Sequence, residues 1–232
     1  MYENVKKIPT DIYGLKYLPS LEPQFSDDKD TVKRFMKYVI KAHKGLPEHK
    51  DAKLLTEQFL FIKNKCKCIL EIGVGWHKKE DDKSDWNIQI GDEELKNTST
   101  QIFLKLKKKE TIYLGIDKAN RAYVNKEEEK VYTLQTDSRK ITDVMNFLKE
   151  KGIFEIDFLF IDGYHSVNMT VNDWQYSKYL SKDGIIMIHD TNVHPGDYVV
   201  FDAIDETMFE KKKYFEKDKG SPGMAVIKRK LK

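Results

Sequence analysis

Two short stretches of this 232-residue sequence hold the residues best suited to chemistry. They are Phe160-Ile161-Asp162-Gly163-Tyr164-His165 and Ile188-His189-Asp190-Thr191-Asn192. Each opens in an apolar run, so each acid stands where a buried strand would end. If the two strands are neighbours, Asp162 and Asp190 lie within several ångströms of each other. Carboxylates that close repel unless a proton or a cation sits between them. Oxygen ligands favour a hard cation such as Mg²⁺, with Ca²⁺ or Mn²⁺ as alternatives. His165 follows Asp162 by three residues and can take a proton near neutral pH. Plainer roles also exist: a helix cap for Asp162, a surface imidazole for His165 and a turn acid for Asp190. The functional reading is favoured because apolar strands deliver all three to one sheet edge.

Three further acids follow the same rule. Leu70-Glu71-Ile72-Gly73-Val74-Gly75 ends the first apolar run of the series. Glycines there let a backbone approach a ligand closely, and an acid inside an apolar strand needs a partner at the strand mouth. A dinucleotide site would place a third glycine where Lys78 stands, so no pyrophosphate cradle is present and NAD is disfavoured. Gly115-Ile116-Asp117 ends the second run, where a carboxylate can accept both hydroxyls of a ribose. Thr136-Asp137-Ser138 ends the third, where a short acid and a hydroxyl can reach an adenine amino group. Each acid alone is more often a helix cap, and Asp137 is well placed to cap the helix after it. Three successive strands ending in acids, after a G-x-G, describe a nucleoside pocket without a phosphate cradle.

The elements that must position these residues alternate. Apolar runs at 68–72, 112–116, 131–134, 156–161 and 185–188 read as strands, and 99–108, 139–150 and 168–180 as helices between them. Strands apolar on both faces and alternating with helices predict a parallel α/β sheet covered on both sides. Residues 212–228 read as an antiparallel hairpin at the sheet edge, turning at Gly220-Ser221-Pro222-Gly223. Ahead of the sheet, 1–28 reads as an extended arm. An i, i+3, i+4 stripe from Val32 to Ile40 predicts a helix over 29–44, and 51–63 repeats the pattern more weakly. The division expected is therefore 1–63 as arm and helices on the substrate side, and 64–232 as the main domain. Residues 76–98 are too long for an ordinary strand-to-helix loop; with Trp76 and Trp86 inside, they read as an inserted loop or lid.

Composition narrows the class. Basic residues number 41 and acidic ones 38, for a net charge of +3, and only four of the basic residues are arginines. Lysine is a solvated point charge without the bidentate fork that reads nucleic acid. The charge thus reads as a soluble surface, and a nucleic-acid partner is not expected. No apolar run is long enough to span a membrane. The opening MYENVKKIPT lacks the apolar core of a secretory signal. Cys66 and Cys68 are too few for a disulfide scaffold or a zinc site and read as reduced thiols. These points together favour the cytoplasm.

Over roughly 64–228 the sequence resembles class I S-adenosylmethionine-dependent methyltransferases. Glu71-Ile72-Gly73-Val74-Gly75 looks like their first motif, Asp117 like the ribose-binding acid and Asp137-Ser138 like the adenine contact. FIDGYHS followed by IIMIHDTN is similar to the metal-dependent O-methyltransferases, in particular the macrolide-sugar and cephalosporin-hydroxylase-like groups. The resemblance implies a Rossmann-like sheet of seven strands with an antiparallel last strand. It implies S-adenosylmethionine bound by Glu71, Gly73, Val74, Gly75, Asp117, Lys118, Asp137, Ser138 and Asp162. It also implies Mg²⁺ on Asp162 and Asp190, with Asp162 and His165 catalytic and His165 the base. The chain departs from these groups around the second acid. They carry an acid just before it, where His189 stands, or an Asn just after it, where Thr191 stands. No Asn-Pro-Pro-Tyr-like motif appears, which argues against the amino methylation of adenine or of glutamine carried out by the subgroup that has it. The activity expected is O-methylation of a small hydroxylated, sugar-like substrate. The alternatives are a metal-independent methyltransferase of RNA or protein, and an inactive nucleoside-binding relative. Apolar positions on the helices of 29–60 would either cover the active site or form a homodimer.

Overall fold

The computed structural model describes residues 6–7, 12–19, 50–74, 87–90, 93–96, 99–216 and 221–230. The helix expected over 29–44, Gly75, Trp76 and Trp86 lie outside these residues. In chain order, β1 (Lys6–Lys7) and β2 (Tyr17–Leu18) form a small antiparallel pair. Helix α1 (Lys50–Ile62) and strand β3 (Cys68–Ile72) follow. A second small hairpin, β4 (Asn87–Ile90) and β5 (Glu93–Lys96), lies within the 76–98 insertion. Then come α2 (Ser99–Leu106), β6 (Ile112–Asp117), β7 (Val131–Gln135), α3 (Ile141–Glu150) and β8 (Ile156–Ile161). The chain closes with α4 (Val167–Trp174), β9 (Leu180–His189), α5 (Pro195–Ala203), β10 (Phe209–Tyr214) and β11 (Met224–Arg229).

Seven strands make one sheet in the order β10-β11-β9-β8-β3-β6-β7. The pairs from β9 to β7 are parallel, and β11 runs antiparallel to both neighbours. The expected edge hairpin is β10–β11, with β10 outermost. This is the seven-stranded, Rossmann-like sheet with an antiparallel last strand that the resemblance implies. No helix among the described residues is long and apolar enough to cross a membrane.

The sheet is apolar on both faces because alternate side chains enter two separate cores. Leu70, Ile72, Leu114, Leu159, Ile161, Ile186 and Ile188 pack with α3, α4 and α5 residues such as Val144, Trp174 and Val200. Ile69, Tyr113, Phe158, Phe160 and Met187 face the other way, against Leu55 and Phe59 of α1 and Phe103 of α2. Phe59, Phe103 and Phe158 meet edge to face, with centroids 5.3–5.6 Å apart. Helix α1, from the segment assigned to the arm and helices, thus shares one core with the sheet. So does the stretch before it: Tyr13 packs edge-on against Phe209, and its carbonyl accepts from Trp174 Nε1 at 2.8 Å.

Three element ends in particular differ from the sequence reading. The helix expected to reach 180 ends at Trp174 and tightens into a 3₁₀ turn over Gln175–Tyr179. Strand β9 then starts at Leu180, paired to Ile156, well before its apolar run. Ser181 anchors this polar start by donating to Asp157 Oδ1 at 2.7 Å. Helix α3 begins at Ile141, because the Asp137 carbonyl accepts from Lys140 N and closes a turn first.

Candidate active site

At the carboxyl ends of β3, β6 and β8 a cleft of about 360 Å³ opens, lined among others by Gly73, Val74, Asp117, Lys118, Ser138 and Asp162. Gly73 has φ +88°, and a Cβ there would lie 1.9 Å from the Asp162 carbonyl oxygen. The glycine is required by the close approach of two strand ends, which form the floor of the cleft. Asp117 accepts from Val74 N at 3.3 Å, Ala119 N at 2.8 Å and Arg121 Nε at 2.9 Å. Ser138 is buried, and its carbonyl accepts from Tyr176 Oη at 2.7 Å. Tyr164 lines the same cleft and is largely exposed, with Lys118 Nζ 5.8 Å from its ring centre.

Glu71 and Asp137 do not line this cleft. Glu71 points to the opposite face of the sheet and is fully buried. Its carboxylate accepts from Thr100 Oγ1 at 2.7 Å and from the hydroxyls of Ser99 and Tyr113. Burial raises its pKa to about 7 against the opposing pull of those hydroxyls. Asp137 is bound by the Arg139 guanidinium at 2.7 and 2.9 Å and lies 3.4 Å from Lys118 Nζ. These partners, Arg139 first, hold its carboxyl well below the usual range. It accepts from Arg139 N ahead of α3 and does not cap that helix.

A second group of titratable residues adjoins the cleft through Asp162. It forms where β8 and β9 end side by side, as their parallel register requires. His165 Nε2 lies 3.3 Å from Asp190 Oδ2 and 3.8 Å from Asp162 Oδ1. His189 Nδ1 lies 3.3 Å from Asp162 Oδ1 and 3.5 Å from Asp190 Oδ1. His165 and Asp190 both hold left-handed backbone, with φ of 59° and 60°. Such conformations cost of order 1–2 kcal/mol in L-residues and cluster at functional sites.

The plainer roles for Asp162 and His165 do not hold, whereas Asp190 does open a turn, its carbonyl accepting from Val193 N and His194 N at 2.9 Å. Ser166 caps α4 by accepting from Met169 N, so Asp162 is not the cap. His165 is mostly buried; its Nδ1 lies 2.9 Å from Asp197 Oδ2. Burial lowers the affinity of His165 for a proton, but the hydrogen bond and charge of Asp197 and the charges of Asp190 and Asp162 outweigh it. Its pKa reaches about 9. Burial alone would raise Asp190, but His189, His165 and His194 hold it well below the carboxylate range.

Sequence reasoning missed three members of this group. Asp197, fully buried in the first turn of α5, carried no signal beyond that of a helix-start acid. It reaches His165 because a Cβ on Gly196 would lie 2.2 Å from the His165 carbonyl oxygen. Only a glycine lets α5 start so close. His194 stacks on His165 with centroids 4.3 Å apart, and its Nε2 is 3.8 Å from Asp190 Oδ2. Its i+4 spacing from Asp190 was visible in the sequence. Asp51 of α1 faces His189 Nε2 at 3.9 Å, with no sequence signal at all.

The arrangement suits the groups the resemblance implies. The cleft offers carboxylate and hydroxyl acceptors to a nucleoside, and buried Asp173 adds an Oδ1 without a hydrogen-bond partner. Asp162, His189 and Asp190 each present one ligand atom, all within 4.8 Å of one another, a donor set for a divalent cation.

No protein-family model and no curated protein matches the sequence. Among solved structures, MycE methyltransferase of the mycinamycin biosynthetic pathway, in complex with Mg, SAH and mycinamycin VI, is similar to this chain. The TM-score is 0.53 at 14% identity, over 89% of this chain and 64% of that one. The chain spans 53–64% of the length of the MycE chains it matches. The O-methyltransferase of Bacillus cereus in complex with SAH has a TM-score of 0.50 at 14% identity, over 90% and 94% of the two chains. TomG of Streptomyces achromogenes, an O-methyltransferase of tomaymycin synthesis in complex with SAM, has a TM-score of 0.50 at 14% identity, over 85% and 89%. A likeness at this level of identity is a likeness of fold.

Proposed function

We propose that this chain is an S-adenosylmethionine-dependent O-methyltransferase, assisted by a divalent cation, acting on a hydroxyl of a small, polyhydroxylated, sugar-like substrate. One observation carries the reading. Asp162 lines the nucleoside-sized cleft and also belongs to the carboxylate–imidazole cluster. A methyl donor in the one and an acceptor hydroxyl at the other would meet there. The solved relatives support it by their contents: MycE was crystallised with Mg and SAH, and TomG with SAM.

The cofactor supplies a methyl group already activated on a sulfonium. A divalent cation held by Asp162 and Asp190 would supply Lewis acidity toward the substrate hydroxyl. The remaining work falls to the chain. Asp117 stands at the end of β6 to accept ribose hydroxyls in place of the Arg121 guanidinium. Ser138 and Asp173 offer acceptors deeper in the cleft. Asp197 holds His165 by Nδ1, so Nε2 faces the cluster and takes the hydroxyl proton. Against burial, Asp197 raises the proton affinity of His165 most, and Asp190 and Asp162 add to it by their charge, a part that a divalent cation held by them would offset. Two hydroxyls on adjacent carbons would chelate the cation, which favours a sugar or similar polyol.

Calorimetric titration with S-adenosylmethionine and S-adenosylhomocysteine, with and without Mg²⁺, tests the proposal, with NAD as control. Both sulfur nucleosides are expected to bind and NAD is not. Binding of NAD alone, or of none of the three, rejects it.

A further inference from the structure

The residue at the metal cluster that a Mg²⁺ centre does not explain is His189. Mg²⁺ is held through oxygen, whereas imidazole nitrogen suits first-row transition ions. His189 closes β9, its ring tilted against Phe160 with centroids 6.2 Å apart. Its Nδ1 is buried and has no hydrogen-bond partner. That atom nevertheless faces two carboxylate oxygens, at 3.3 and 3.5 Å. Two carboxylate oxygens and an imidazole nitrogen that converge in this way can share one ion. Ligand atoms about 2.1 Å from a common ion and at right angles stand about 3 Å apart. His189 Nδ1 stands close to that spacing from both Asp162 Oδ1 and Asp190 Oδ1, and the three ligand atoms lie within 4.8 Å of one another. Asp51 lies beyond Nε2, at 3.9 Å, on the side where ligating histidines find their supporting carboxylate.

We propose that His189 gives this centre a nitrogen ligand alongside Asp162 and Asp190, so that it selects a first-row transition ion such as Mn²⁺ over Mg²⁺. The inference rests on the cation-assisted reading above and specifies its ion. His165 stays outside the ligand set as the base, held by Asp197, and His194 lies stacked upon it.

The test uses the full chain with MnCl₂ and MgCl₂ as probes. Calorimetry gives the two affinities in the wild type, His189→Asp and His189→Gln. Pulsed EPR of bound Mn²⁺ reports directly coordinated ¹⁴N, and His194→Gln controls for the nearby ring. Binding of S-adenosylhomocysteine shows that each variant is folded. In the wild type, Mn²⁺ is expected to bind about tenfold or more tighter than Mg²⁺, with ¹⁴N coupling. The coupling should persist in His194→Gln. It should vanish in His189→Asp, where the Mn²⁺ preference narrows several-fold, and in His189→Gln, where Mn²⁺ affinity falls. Tight Mn²⁺ binding without ¹⁴N coupling in the wild type overturns the inference and leaves the cation-assisted reading standing, whether or not a variant folds. Coupling that survives in a folded His189→Asp does the same. If neither ion binds while S-adenosylhomocysteine does, both the inference and the cation-assisted reading fail and the cofactor reading remains.

Discussion

Asp197 Oδ2 lies 2.9 Å from Nδ1 of His165, across 32 residues of sequence. The contact exists because α5 begins at a glycine pressed against the His165 backbone. A buried carboxylate on one ring nitrogen settles which nitrogen carries the proton and which faces the cluster.

Replacing Asp197 with Asn therefore lowers the pKa of His165. The free protein holds it at about 9, against an ordinary 6.5. Since the folded value is the higher one, this proton stabilises the fold fully below about pH 6.5, and that stabilisation is lost as pH rises through 9. The contribution is at most about 3 kcal/mol. Asp197→Asn should flatten the fall in stability between pH 7 and 9 and move the NMR titration of the His165 ring protons to lower pH. An unmoved titration would show that Asp197 does not act on His165.

His165→Ala should reduce methyl transfer by about 10²–10⁴-fold, the usual worth of a positioned base. Its affinity for S-adenosylhomocysteine should stay within about threefold of wild type, because the ring faces the acids and does not line the cleft. Full turnover in this variant would remove His165 as the base.

Asp117→Ala tests the other end of the site. Hydrogen bonds to a charged group are worth about 1.5–3 kcal/mol, so S-adenosylhomocysteine should bind about 10- to 150-fold more weakly. Mn²⁺ affinity should not change, because Asp117 is not part of the cation donor set. Calorimetry with each ligand separates the two effects, and an equal loss of both would point to misfolding.

Glu71→Gln should change the pH dependence of stability. Burial raises the Glu71 pKa from 4.5 to about 7. The folded state thus favours the protonated acid. That stabilisation is complete below about pH 4.5 and is lost as pH rises through 7, a difference of at most about 3 kcal/mol. Thermal unfolding at pH 5 and pH 8 should show a smaller drop in Tm for Glu71→Gln than for the wild type. Parallel curves would mean that Glu71 is ionised throughout.

Much of this molecule is legible along the chain. Five two-faced apolar runs separated by helical stretches could bury themselves only as a sheet covered on both sides. The spacing of the runs placed Asp117, Asp162 and Asp190 at strand ends because a strand ends where its apolar run does. Helix ends were less legible. The start of α3 was decided by a turn at Asp137, and the end of α4 by the pairing of Leu180 with Ile156. Both depend on partners that local pattern does not contain.

Strand order and helix docking decided the rest, because they bring together residues with no sequence relationship. β8 and β9 are neighbours in the sheet, so Asp162 and Asp190 meet. Helix α1 brings Asp51 to His189, and α5 brings Asp197 to His165. Glu71 shows the converse. Its motif marked it for the cleft, but the period-two alternation of β3 turns it to the opposite face, where α2 and Tyr113 supply its hydroxyl partners. The sequence by itself determined the sheet and the acids at its edge, since burial and periodicity are local properties. The tertiary structure decided which imidazole meets which carboxylate, since a hydrogen bond or a shared ion depends on distances of a few ångströms between segments far apart in the chain.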